Sequence, residues 1–255
     1  MIFLKSPQEV ETMRKANRIV IETLAELREI IRPGVSTGEV DKIAAELTRK
    51  KKARSAFKGY KIRNGVVPFP ATICVSINNE VVHGIPSSSR IIQDGDIVSL
   101  DFGVIYENFY GDAAISIAVG QIGEESQRLL NATAESLEEG IAKAQVGNRL
   151  GDVSAAIQER IERDGFSVVR EFVGHGVGRR LHEDPAVPNY GVKDRGIRLR
   201  EGMVLAIEPM VNMGRAEVLM KDDAWTAITK DGSLSAHFEH SVAITEQGPQ
   251  VLSQL

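Results

Sequence analysis

Four carboxylates and one histidine carry the chemical signal of this sequence. Asp101 and Asp112 sit in two runs, 97–104 and 113–119, that are otherwise apolar and rich in β-branched residues. A polar turn containing Tyr106, Glu107 and Asn108 separates the runs, so the segment reads as a β-hairpin. A turn centred between residues 106 and 107 would make the two aspartates direct cross-strand partners, with Cβ atoms roughly 5 Å apart. Like charges so placed repel, the more so when half buried, and a cation between them is expected. Glu208 closes the similar stretch "EGMVLAIE", and Glu239 opens "EHSVAI". His175 lies between Gly174 and Gly176, which remove side-chain bulk and let the imidazole approach a ligand.

These pieces recur in order. "GVSTGEV" from Gly34 is echoed by "GNRLGDV" from Gly147, and "DGDIVSLD" ending at Asp101 by "EGMVLAIE" ending at Glu208. "DAAISI" from Asp112 is echoed by "EHSVAI" from Glu239, and "HGIP" from His83 by "HEDP" from His182. The chain therefore reads as two similar halves, about 1–120 and 121–255, forming a single catalytic domain. Two halves packed about a pseudo-two-fold axis would gather Asp101, Asp112, Glu208 and Glu239 at the centre. Four carboxylates in one buried place do not all stay ionised without cations. Two divalent ions would balance them, and oxygen-rich ligation suits Mn²⁺, Fe²⁺, Co²⁺ or Zn²⁺. His175 would add a nitrogen ligand. His83 and His182, related by the repeat, are better suited to substrate contact or proton transfer than to ligation. His240 should point away from the face of Glu239, whereas His237 should share that face and touch the rim of the site.

The elements that must position these residues are legible as well. Amphipathic patterns predict helices over about 7–31, with Ser6 as N-cap, and over about 37–52, 124–144 and 152–164. With strands between them, the class is α/β. The 255 residues are 42% apolar and 26% charged, with a net charge of −4. That composition fits a globular protein with a sizeable core and gives no global attraction to DNA or to an anionic membrane. No apolar run approaches the ~18 residues of a membrane span, and the first residues do not read as a signal peptide. Cys74 is the only cysteine, which excludes an internal disulfide and fits a reducing, cytoplasmic setting. The basic run of Arg49, Lys50, Lys51, Lys52 and Arg54 reads first as a solvated helix end. The second reading of that run is a transient contact with an anionic partner such as ribosomal RNA.

Taken together, "SINNEVVHGIP", "DGDIVSLDFGVIYENFYGDAA", "GHGVGRRLHEDPAVPNYG", "GMVLAIEPM" and "HFEHSVAIT" closely resemble the type I methionine aminopeptidases. The resemblance spans nearly the whole chain. It implies the pita-bread fold, with a central antiparallel sheet and outer helices about a pseudo-two-fold. It also implies a dinuclear site whose bound hydroxide removes the initiator methionine from nascent polypeptides when the second residue is small. Asp101, Asp112, His175, Glu208 and Glu239 would be the metal ligands, with Asp112 and Glu239 bridging. Glu208 would also shuttle the proton, His182 would stabilise the oxyanion and His83 would contact the scissile amide. Tyr60, Phe69, Cys74 and Trp225 would wall the methionine pocket, since soft and aromatic surfaces suit a thioether. A monomer is expected. The stretch "KIRNGVVP" at 61–68 is longer than the corresponding loop of many relatives, and Leu181 stands where a phenylalanine is frequent. Two rivals remain: an X-Pro aminopeptidase or creatinase relative, and a metal-free pita-bread protein that binds peptide or RNA.

Overall fold

A computed structural model describes residues 1–61 and 67–254. Most of the long loop noted above, residues 62–66, lies outside the described residues. Helices form where the apolar periodicity predicts them: α1 (Pro7–Ile30), α2 (Thr37–Lys50), α3 (Glu124–Lys143) and α4 (Leu150–Arg163). The start of α1 is fixed by a capping box. Ser6 Oγ accepts from the Glu9 amide while the Glu9 carboxylate accepts from the Ser6 amide.

The strands in the first part of the chain are β1 (Arg54–Ser55), β2 (Cys74–Ile77), β3 (Glu80–Val82), β4 (Ile97–Tyr106) and β5 (Phe109–Ala118). Next come β6 (Ser167–Val168), β7 (Gly174–Gly176), β8 (Glu183–Val187), β9 (Val204–Ile207) and β10 (Met210–Asn212). The last are β11 (Val218–Met220), β12 (Ala227–Thr229), β13 (Ser235–His237), β14 (Glu239–Thr245) and β15 (Gly248–Val251). The main sheet runs β1-β4-β5-β14-β9-β7-β8, with β2 paired to β4 and β15 to β14. Its strand pairs are antiparallel. Two small sheets, β13-β10-β6 and β11-β12-β3, stand beside it.

The segments paired in sequence make matching backbone contacts. The Gly34 amide donates to the Ile92 carbonyl and the Gly147 amide to the Leu199 carbonyl. The Gly38 amide donates to the Ser87 carbonyl and the Gly151 amide to the Arg195 carbonyl, each helix start being pressed against a later loop of its own half, before β4 and before β9 respectively. A Cβ on Gly38 would lie 2.7 Å from the Ser88 amide nitrogen, and one on Gly151 2.3 Å from the Val192 carbonyl, so only glycine fits either place. The apolar faces of α1 and α2 cover β4 and β5, burying Val20, Leu24, Leu27, Leu100 and Phe102 in one core. Those of α3 and α4 close a second core with Leu129, Ile157, Leu205 and Ile207. The halves meet where β5 pairs with β14.

The β4–β5 hairpin corrects one expectation. Its turn is Glu107-Asn108, both with left-handed φ of 49° and 64°, and Tyr106 pairs with Phe109. Two left-handed central residues suit the right-handed twist of a two-residue hairpin loop. The register therefore sits two residues from the one expected. Asp101 faces Ala114 and Asp112 faces Gly103, so the two aspartates are diagonal neighbours and not direct partners. A slip of two keeps every side chain on its face, whereas a slip of one would have turned Asp112 away.

Candidate active site

Strands β4, β5, β14, β9 and β7 are consecutive neighbours, and each brings one donor to the same place. Asp101 on β4 and Glu239 at the start of β14 face Ala114 from its two sides. Asp112 lies two residues before Ala114 on β5 and so shares its face. His175, central in β7, faces Ala206, two residues before Glu208. His175 Nε2 lies 3.4 Å from Glu208 Oε1 and 3.9 Å from Asp112 Oδ2. Donor atoms of Asp112, His175 and Glu239 all fall within 4.8 Å of one another.

The glycines around His175 serve the strands more than the ligand. A Cβ on Gly174 would lie 2.3 Å from the Ala206 carbonyl, and one on Gly176 2.2 Å from the Asp184 carbonyl. They let β7 fit closely between β9 and β8. On Gly103, a Cβ would lie 3.1 Å from Asp112 Oδ1, so that glycine leaves room for the carboxylate opposite.

The electrostatics ask for positive charge. Burial pushes the Asp101 carboxyl up to about 7 and the Glu208 carboxyl to about 8. Burial and then repulsion from neighbouring carboxylates drive Asp112 and Glu239 well above the usual range. Among the described residues, Asp112 Oδ1 and Glu239 Oε1 are buried without a hydrogen-bond partner. Native proteins seldom leave carboxylate oxygens so orphaned, and a bound cation satisfies both. His175 is neutral, burial holding it down to about 3. Its Nδ1–H donates to the Gly176 carbonyl at 3.0 Å, which leaves the Nε2 lone pair facing the carboxylates. The donor set thus fits divalent metal.

A cavity of about 460 Å³ opens onto these donors. Tyr60, Phe69, Cys74 and Trp225 line it, as do His83 and His182. Phe69 and Trp225 pack edge to face at 5.2 Å, and Trp225 Nε1 donates to the Val67 carbonyl at 2.8 Å. Cys74 faces Asp101 across β2 and β4; burial, then the charge of Asp101, pushes its thiol up. Leu181 lines the cavity too and packs with these aromatics. His83 has a left-handed φ of 61°, uncommon outside glycine, and packs edge to face on Phe172. Burial lowers it to about 4. His182 is more exposed, its ring 4.3 Å from that of His175. All the residues singled out from sequence for ligation, substrate contact or pocket walls line this one cavity.

Several residues were not legible beforehand. Phe57, Val82, Glu171, Phe172, Val173 and Met210 also line the cavity. Asn17 Oδ1 accepts from the Asp112 amide at 3.2 Å, and Asn189 Nδ2 donates to the Glu208 carbonyl at 2.9 Å. His237 is not at a rim. It is 2% exposed, with Nε2 3.6 Å from Glu208 Oε2, because it belongs to β13 in a different sheet from Glu239. His240 points away as expected, to Ser253 Oγ at 2.9 Å. Among the described residues, no helix is long and apolar enough to cross a membrane.

Comparison with known proteins agrees with this geometry. Residues 11–246 match the family described as Metallopeptidase family M24. The chain is 52% identical over 253 residues to the methionine aminopeptidase of Clostridium perfringens, covering 99% of each. It is 50% identical over 255 residues to methionine aminopeptidase 1 of Bacillus subtilis, covering the whole of both. The solved structure of a methionine aminopeptidase from Thermotoga maritima is similar over the full length of both chains, with a TM-score of 0.96 and 47% identity.

Proposed function

The chain belongs to metallopeptidase family M24, and from that premise we propose that it removes the N-terminal methionine from polypeptides whose second residue is small. Its fold is the pita-bread arrangement of that family. The observation that carries the reading is the convergence of five donors, Asp112, His175 and Glu239 buried and Asp101 and Glu208 half-buried, on a cavity with soft and aromatic walls.

Asp101, Asp112, His175, Glu208 and Glu239 would hold two divalent cations, drawn from Co²⁺, Mn²⁺, Fe²⁺ and Zn²⁺, with Asp112 and Glu239 shared between them. When bound, such ions supply Lewis-acid activation of a water and of the scissile carbonyl. The residues do the rest. Glu208, held at its own carbonyl by Asn189, takes a proton from the attacking water and delivers it to the leaving amine. His182 donates from Nε2–H to the oxyanion that develops on the carbonyl, with Tyr60 holding Nδ1. His83 contacts the scissile amide from the opposite half of the sequence repeat. Tyr60, Phe69, Cys74 and Trp225 enclose the methionine side chain. The peptide beyond it lies against His83 and His182, where a bulky second side chain is refused.

Residues 1–120 and 121–255 are proposed to act as one catalytic domain, monomeric and cytoplasmic, on nascent chains. A ribosomal contact would use Arg49, Lys50, Lys52 and Arg54, which are exposed at the end of α2. Lys51 is already engaged by Glu22 and Glu26. The test is turnover of Met-Ala, Ala-Pro and creatine substrates before and after chelation. Hydrolysis of Met-Ala that stops with chelator and returns with Co²⁺ or Mn²⁺ is expected. Preference for Ala-Pro or creatine, or full activity in metal-free protein, overturns the reading.

A further inference from the structure

We propose that the buried ion pair between Lys5 and Glu183 is a brace that positions His182, making the segment before α1 part of the substrate site. The inference rests on the role given above to His182. Lys5 Nζ lies 2.7 Å from Glu183 Oε2, with the side chains 5% and 3% exposed. Such a pair forfeits the hydration of two charges, and its net stabilisation is small, so its geometry is the informative part. The other oxygen, Glu183 Oε1, accepts from the backbone amides of Arg179 and Arg180 at 2.8 and 3.1 Å. One carboxylate thereby closes the turn between β7 and β8 into a ring, and His182 is the residue beside it.

The turn is anchored at both ends of this arrangement. The Lys5 amide donates to the Gly202 carbonyl at 2.7 Å, and Lys5 Nζ also donates to the Phe3 carbonyl at 3.0 Å. On the other side, the Gly178 carbonyl accepts from the Tyr110 amide at 2.8 Å, two residues from Asp112. Gly178 makes space for the pair itself. A Cβ there would stand 2.5 Å from Lys5 Cε and 2.9 Å from Glu183 Oε1. The ring of His182 is the exposed member of the site, contacting Tyr60 and His175, so its placement depends on how firmly its backbone is held. A donor group displaced by about an ångström from the reacting atom loses much of its effect.

The test uses metal-loaded, full-length enzyme and a Met-Ala-peptide. Glu183→Gln should lower kcat by about 10- to 100-fold, with KM for the peptide within about twofold. Bound metal, measured by elemental analysis, should be unchanged. The same substitution made in the His182→Ala background should cause little further loss, because the brace acts through that histidine. Where a single variant leaves a buried charge unpaired and does not fold, the Lys5→Met/Glu183→Gln double variant removes both charges at similar volume and carries the same comparison. Losses that add to that of His182→Ala, or a fall in metal content, overturn the proposal. If His182→Ala itself retains the full rate, the role of His182 falls, and the brace with it.

Discussion

The Tyr60 hydroxyl lies 2.5 Å from Nδ1 of His182, with the two rings tilted at 58°. A residue of the cavity wall therefore also holds the imidazole proposed to contact substrate. With the phenol donating to Nδ1, the ring proton sits on Nε2, the nitrogen free to face the substrate. Tyr60→Phe keeps the aromatic wall and removes only this bond. The expected result is a fall in kcat/KM of about five- to tenfold, the worth of one such hydrogen bond. Nitrogen NMR of His182 should show the tautomer mixture shift. An unchanged rate with an unchanged tautomer would reduce Tyr60 to a wall.

Metal-free protein should lose stability as pH rises through 7 and 8. Asp101 at about 7 and Glu208 at about 8 keep protons in the folded state that carboxyls of the unfolded chain release near pH 4. Between those values each of these two carboxyls binds more protons folded than unfolded, so its contribution to the slope of stability with pH is negative, while the buried histidines give the opposite slope only below about pH 6.5. The folded state is thus favoured most below about pH 4 by these groups, and the advantage is gone once pH passes through 7 to 8. Thermal melts of the apo form from pH 6.5 to pH 8.5, where the histidines are largely neutral in both states, should show a falling midpoint. Saturating Mn²⁺ should raise the midpoint most at pH 8, since cations bind the ionised carboxylates. A midpoint that rises with pH in the apo form would contradict the electrostatics described for this site.

How much of this was legible in the sequence depends on the range of the signal. The gathering of the four carboxylates at one cavity could be read because carboxylates in apolar strand patterns are anomalous locally, and because the anomaly recurs in the second half. Asp101 and Asp112 were put on the correct face although the register was off by two. Their turn uses Glu107 and Asn108 in left-handed conformations where sequence patterns look for glycine. His237 was misplaced because counting residues from Glu239 assumes one continuous strand, and the chain changes sheets between them. Asn189 and the Lys5–Glu183 pair carry no local mark. Lys5 and Glu183 are 178 residues apart and meet only once both halves have folded.

Ligands and substrate histidines should separate by mutation. Asp112→Asn leaves a carboxamide of the same shape but removes a charge from a cluster that already needs cations. Metal content and activity should therefore fall together. His83→Ala should retain metal, since His83 packs on Phe172 and Trp225 and lies after β3, off the five strands whose donors converge. Its turnover should fall by about 100-fold or more, the range of a lost acid–base or amide contact. Elemental analysis beside steady-state kinetics decides the point. An His83→Ala protein emptied of metal would show that the two roles are reversed.

Specificity should follow from where the cavity has space and where it is pinched. In the proposed binding mode the methionine side chain enters among Tyr60, Phe69, Cys74 and Trp225, where Phe69 and Trp225 are locked edge to face and Trp225 is tied to the Val67 carbonyl. A first residue one methylene shorter should lose about 1–3 kcal/mol of transition-state binding, or roughly 10- to 200-fold in kcat/KM. The second residue is proposed to lie beside His83 and His182. His83 packs edge to face on Phe172 and His182 bonds to Tyr60, so a large second side chain would have to break one of these contacts. Gly, Ala and Ser after Met should be cleaved well, and Leu, Lys and Arg poorly, at saturating metal. Because the obstruction is steric, the effect should appear chiefly in kcat/KM and should not be rescued by raising metal concentration. A Met-X-peptide series measures it directly. Equal kcat/KM for Met-Ala and Met-Arg, or a preferred first residue other than Met, would overturn the substrate assignment while leaving the metal centre intact.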